Sequence, residues 1–126
     1  MSAPLPIWQT WLPRQRWFAG KGRPASVVSE SVLELDRRPD LVVRVHLVGV
    51  GYDGSTEPSE TYQVPVVLRR KRAGRKAVIG TVREDDGSTW YVYDGPHDPA
   101  FTSVLLGVLA DARTTLSRMR GDRRTR

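Results

Sequence analysis

Cysteine is absent from the 126-residue chain, which excludes disulfides and thiolate metal sites. No apolar run approaches the roughly 18 residues of a membrane span. Met1 to Trp11 lacks a cationic stretch leading into an apolar one, so it does not read as a signal peptide, and the expected location is cytoplasmic. Histidine occurs twice, as His46 and His97, without the paired spacing of a metal site, so both read as structural residues. No serine stands in a nucleophile elbow. A kinase catalytic loop and the Asp-Phe-Gly metal motif are also missing. Phosphoryl transfer needs carboxylates and metal ions to neutralise charge developing on the phosphate. The chain alone is therefore not expected to be an enzyme.

Acidic residues are few where basic ones are many, but unevenly so. Residues 113–126 hold six arginines against Asp122, a net of +5 out of the +6 of the whole chain. Positions 1–112 are thus nearly neutral. Arginine outnumbers lysine 17 to 3, which fits GC-rich coding DNA better than a selected binding surface. One internal cluster stands out, Arg69-Arg-Lys-Arg-Ala-Gly-Arg-Lys76, with six cations in eight positions. It reads either as a solvated loop facing the acidic turn Glu84 to Asp86 or as a binding site for nucleic acid or another polyanion. No aromatic stacking platform is evident beside it.

What remains is a patterned domain. Ile7, Trp8, Trp11 and Leu12 share one helical face, and Pro13 ends that helix or starts a new turn. An aromatic pair then runs into a glycine-rich basic loop, Arg14 to Arg23. Strands are predicted over Val27–Leu35, Leu41–Val50, Thr61–Leu68, Ala77–Arg83 and Trp90–Asp94. Pro65 cannot donate to a ladder, so the third strand should be an edge or bulged there. Gly87 suits a hairpin turn over Glu84 to Ser88. Asp98 is a ready N-cap for a helix opening on Pro99, and Phe101, Val104, Leu105, Val108 and Leu109 form a stripe wide enough to cover a sheet face. The pattern fades after Leu116. The expected organisation is an α+β domain over 1–112, one curved antiparallel sheet of about five strands with a helix at each end, followed by a disordered arginine-rich tail, 113–126.

Two glycine motifs invite a nucleotide reading and fail it. Gly49-Val-Gly-Tyr-Asp-Gly54 has the letters of a dinucleotide fingerprint, but a strand follows where a helix N-terminus should hold the pyrophosphate. Around Gly20-Lys21-Gly22, Gln15 and Gly22 stand where a Walker A loop needs glycine and a hydroxyl residue.

Four segments, in order, carry a resemblance: Trp11-Leu-Pro-Arg-Gln-Arg-Trp-Phe-Ala-Gly-Lys-Gly-Arg23, Glu60-Thr-Tyr-Gln-Val-Pro-Val66, Ala77-Val-Ile-Gly80 and Tyr93-Asp-Gly-Pro-His-Asp-Pro-Ala-Phe101. Together they resemble the N-terminal cap of bacterial maltokinases and related glucosamine kinases, and the arginine bias fits an actinobacterial source. The resemblance implies a cystatin-like unit, a helix cradled by a curved sheet, packed on the small lobe of a kinase. In that family the whole enzyme uses ATP and magnesium to make maltose 1-phosphate for α-glucan and trehalose metabolism. The kinase lobes that should follow Leu109 are missing here, so the chain itself calls for no cofactor. The implied partner is a kinase domain, in cis or in trans, and an isolated cap could also pair with a second copy. Arg14, Arg16, Trp17, Phe18, Lys21 and Arg23 form the candidate partner interface, because arginine and aromatic residues favour interfaces. The alternative reading is a small polyanion-binding protein using the 69–76 loop and the arginine-rich tail.

Overall fold

The computed structural model describes residues 5–72 and 78–124, with backbone alone from 115 onward. Helix α1 spans Ile7–Trp11, and Leu12–Arg14, which contains Pro13, continues it as a single 3-10 turn. Five strands follow: β1 Ala25–Arg38, β2 Leu41–Tyr52, β3 Glu60–Arg69, β4 Gly80–Arg83 and β5 Thr89–Asp94. A 3-10 turn, Gly95–His97, leads into helix α2, Pro99–Arg124. The strands form one curled antiparallel sheet in the order β1-β2-β3-β5-β4, an α+β arrangement with a helix at each end of the chain.

Alternation in β2 and β3 decides what each face of the sheet buries. Val42, Val48 and Val50 of β2 join Val64, Val66 and Leu68 of β3 on the face that receives Trp8, Leu12 and Phe18. The intervening residues Val43 and Val67 point to the opposite face, with Tyr93 and Phe101. Trp8 is fully buried. At about 25 cal/mol per Å², an aromatic of this size contributes roughly 4–6 kcal/mol of transfer free energy, enough to hold a five-residue helix that would not persist alone. The sheet curls far enough for its two margins to share a cation. Arg44 of β2 donates to Glu34 of β1 and to Glu84, which directly follows β4. The acidic turn is thus engaged by Arg44 and Arg37, while Arg70 lies over the Trp90 ring.

The hairpin turn forms as expected, with Gly87 at φ 85°. Pro65 sits differently from its prediction. β3 is internal to the sheet and meets β2 without a register shift, pairing Pro65 with Val45. Its ladder with β5 begins only at Val66, so the missing N–H costs no bond on that side. The start of the predicted fourth strand, Ala77, lies outside the described residues, as does the Ala73–Lys76 part of the basic loop.

The closing helix departs most from expectation. Asp98 does cap it, accepting from the Ala100 N–H at 3.0 Å. Phe101 is buried against Val43, Val67 and Tyr93, and Val104 packs at the margin. Beyond that turn the stripe leaves the sheet. Leu105, Leu106, Val108 and Leu109 are all exposed, Leu109 at 56%. The stripe therefore does not cover the opposite sheet face. Helical backbone also continues through Arg124, past the point where the sequence pattern fades.

β1 is the outer strand on one side, and its edge is partly occupied. The Gln9 side chain donates to the Ala25 carbonyl and accepts from the Val27 N–H, both at 2.9 Å, as a neighbouring strand would. Register shifts interrupt the β1–β2 ladder between Val27 and Ser29 and between Glu34 and Asp36.

Candidate docking surface

The segment from Trp11 to Arg23 is pinned from both sides. Upstream, the Trp8 indole N–H donates to the Glu30 carboxylate, His46 Nδ1 lies 3.0 Å from the same oxygen, and the Leu5 N–H donates at 3.3 Å to the other. The Glu30 side chain is only 7% exposed. Burial by itself raises the pKa of this carboxyl, but the bonds from His46 and Trp8 outweigh it and hold the group below its ordinary value. His46 is thereby a structural histidine, as the sequence suggested.

Downstream, two tyrosines fasten the loop. Tyr52 and Tyr62 both donate to Glu60, and the Ala19 N–H donates to the Tyr62 hydroxyl at 3.1 Å. The Tyr62 and Tyr52 hydroxyls hold the Glu60 carboxyl below its usual range, while burial pushes the Tyr52 hydroxyl well up. Gly20 is needed for this approach, because a Cβ there would fall 2.2 Å from the Tyr52 ring. Arg23 covers the other part of that ring at 4.2 Å and pairs with Asp53 at 3.0 Å. Asp53 and Gly54 both turn with positive φ, so the Gly49–Gly54 motif ends a strand in a tight turn and opens no helix.

A row of contacting aromatic rings then runs from the core out to the surface. Trp8 meets Trp11 at 5.9 Å, Trp11 meets Trp17 at 5.8 Å, Trp17 meets Tyr62 at 5.4 Å, and Phe18 stacks on Tyr62. Of the six residues predicted at an interface, five face solvent: Arg14, Arg16, Trp17, Lys21 and Arg23. Phe18 does not. It is 4% exposed, because its ring fills the space between the loop and the core, and so offers no surface to a partner. Trp17, by contrast, stands 50% exposed on a fixed base of rings.

Two grooves open beside this row without any mark in the sequence. One, of about 550 Å³, is lined by Trp11, Val78, Ile79, Tyr93, Asp94, His97 and Asp98. The other, of about 440 Å³, is lined by Trp11, Trp17, Pro65 and Asp94 among others, and the two share Trp11, Asp94 and His97. These residues come from four separate parts of the chain, so no local motif marks them. Burial raises the Asp94 carboxyl above its ordinary pKa, with His97 pulling the other way. Asp98 is engaged already, by two bonds from Arg69 at 2.9 and 3.2 Å. Arg69 is thus a structural cation and is not part of a free basic loop.

Among the described residues, no three His, Cys, Asp or Glu side chains cluster in a way that could hold a metal ion. No described helix is long and apolar enough to cross a membrane.

The class defined by this fold is an α+β module, a curled antiparallel sheet with a helix at each end and a half-exposed Trp17 fixed beside it. Residues 11–98 match the maltokinase N-terminal cap domain model, and the chain belongs to that family. The match begins at Trp11, the first ring of the loop signature, and ends at Asp98, the cap of α2. No solved structure matches the chain.

Proposed function

We propose that the chain acts as a non-catalytic cap that docks on the small lobe of a maltokinase-type kinase, in cis or in trans, through the face formed by Arg14, Arg16, Trp17, Lys21 and Arg23. Family membership supports association with a kinase domain. The observation that carries the choice of face is Trp17, a large ring half exposed yet fixed by Trp11 and Tyr62. Rigid aromatics flanked by arginine are the usual centres of protein interfaces. The cap contributes binding and shape, while ATP, magnesium and the acceptor sugar belong to the kinase lobes.

Isothermal titration of the chain into a separately produced maltokinase catalytic body tests this reading. Saturable binding that Trp17→Ala weakens by about tenfold or more supports it. The absence of both heat and any change in maltose phosphorylation overturns it.

A further inference from the structure

We propose that the groove where Trp11, Trp17 and Asp94 meet is an anchor pocket for one arginine side chain presented by the protein surface that docks on this cap. The inference rests on the docking reading and adds the chemistry of the contact. Asp94 closes β5 and occupies the N-cap position of the Gly95–His97 turn, yet makes no side-chain capping bond. Asp94 lines both grooves. Among the described residues its ion-pair neighbour is His97, 3.9 Å away and itself exposed, which is beyond hydrogen-bond reach.

Asp98, on the rim of the same groove, shows what an arginine does here. It is gripped by two of the Arg69 guanidinium nitrogens and is buried. Asp94 has the same carboxylate, walls of Trp11, Val78, Ile79 and Tyr93 around it, and no arginine among the described residues. Its side chain is 34% exposed, so the carboxylate is partly shielded from water and attracts a cation more strongly than a fully solvated one would. The raised Asp94 pKa agrees with a carboxylate held partly out of water.

Arginine fits better than lysine. Its planar head stacks on tryptophan while its paired N–H groups meet a carboxylate.

Two experiments separate this pocket from the docking reading. The full chain is titrated with N-acetylarginine amide and with its uncharged citrulline counterpart, while the indole N–H signals of Trp11 and Trp17 are followed by NMR. Saturable shifts with the arginine probe, at least tenfold weaker with citrulline and lost in Asp94→Asn, are expected. Equal responses to both probes, or a response that Asp94→Asn leaves intact, overturn the pocket. Asp94→Asn is also titrated into the kinase catalytic body, where affinity should fall about ten- to a hundredfold, the range of a charge-assisted bond. If the body binds wild type and Asp94→Asn equally, the pocket is refuted and docking stands. If the arginine probe behaves as expected but the body binds neither form, docking on that kinase is refuted, and with it the partner assigned to the pocket, while the arginine-binding chemistry of Asp94 stands.

Discussion

Replacing Glu30 by glutamine tests how the cap holds its N-terminal helix. The wild-type carboxylate accepts from the Leu5 N–H on one oxygen and from the Trp8 indole on the other, which also lies 3.0 Å from His46 Nδ1. A glutamine has one acceptor oxygen. If that oxygen faces Trp8, the amide nitrogen faces the Leu5 donor; if it is flipped, the nitrogen faces the Trp8 donor. At least one bond to a charged acceptor is lost in a nearly enclosed site, at about 1.5–3 kcal/mol. For a domain of this size that is a fall in Tm of roughly 6–15 °C. Thermal unfolding followed by tryptophan fluorescence reads it, Trp8 being one of the four tryptophans that contribute. The pH dependence supplies a second check. A carboxyl whose pKa is lowered on folding from 4.5 stabilises fully above that value and loses its contribution as pH falls through the folded pKa. The gap between wild type and Glu30→Gln should therefore be constant from pH 7 to about 5.5 and close below 4.5. A Tm within 2 °C of wild type at pH 7, or a gap unchanged at pH 3, refutes the argument.

Three further outcomes are expected. Gly20→Ala drives a methyl into the buried Tyr52 ring and should cost about 1–3 kcal/mol in urea unfolding, although alanine is otherwise the milder residue for a chain to fold with. On α2, Phe101→Ala should cost about 3–4 kcal/mol, whereas Leu109→Glu should change stability by less than about 0.5 kcal/mol; a large loss from the second would mean the helix lies down on the sheet. Arg69→Ala strips the two-bond fork from the buried Asp98 carboxylate and should cost about 2–4 kcal/mol at pH 7, measured by chemical denaturation.

The sequence made the strands legible because β2 and β3 alternate, and alternation follows from the pleat alone. It also gave the α2 cap, since Asp98 before Pro99 is a local signal, and the hairpin turn around Gly87. It misled on α2 because a helical stripe reveals that a face is apolar and says nothing of what covers it. Phe101 finds the sheet, while Leu105, Leu106, Val108 and Leu109 do not. Pro65 misled for a similar reason. Its neighbour on the β5 side ends one residue short, a matter of sheet order that local sequence does not encode. The candidate face was half legible. The cations and Trp17 were visible as a cluster, but the burial of Phe18 depends on Tyr62, far along the chain. The groove at Asp94 was invisible, because β5 meets the N-terminal helix only in three dimensions.

The bound edge of β1 has a consequence for the chain's behaviour in solution. A fourteen-residue outer strand is a template on which another strand can add and a fibril can begin. Gln9 occupies its first stretch with a side-chain amide that cannot propagate a ladder. At the far end Glu34, Asp36, Arg37 and Arg38 crowd the strand with charge, just where a bulge breaks its regularity. Between the two lies the short run Ser31 to Leu33, with Val32 and Leu33 exposed. Protection of this edge is thus concentrated in a handful of residues outside the core. Gln9→Ala should make the protein more prone to form fibres even where its folded structure is hardly changed.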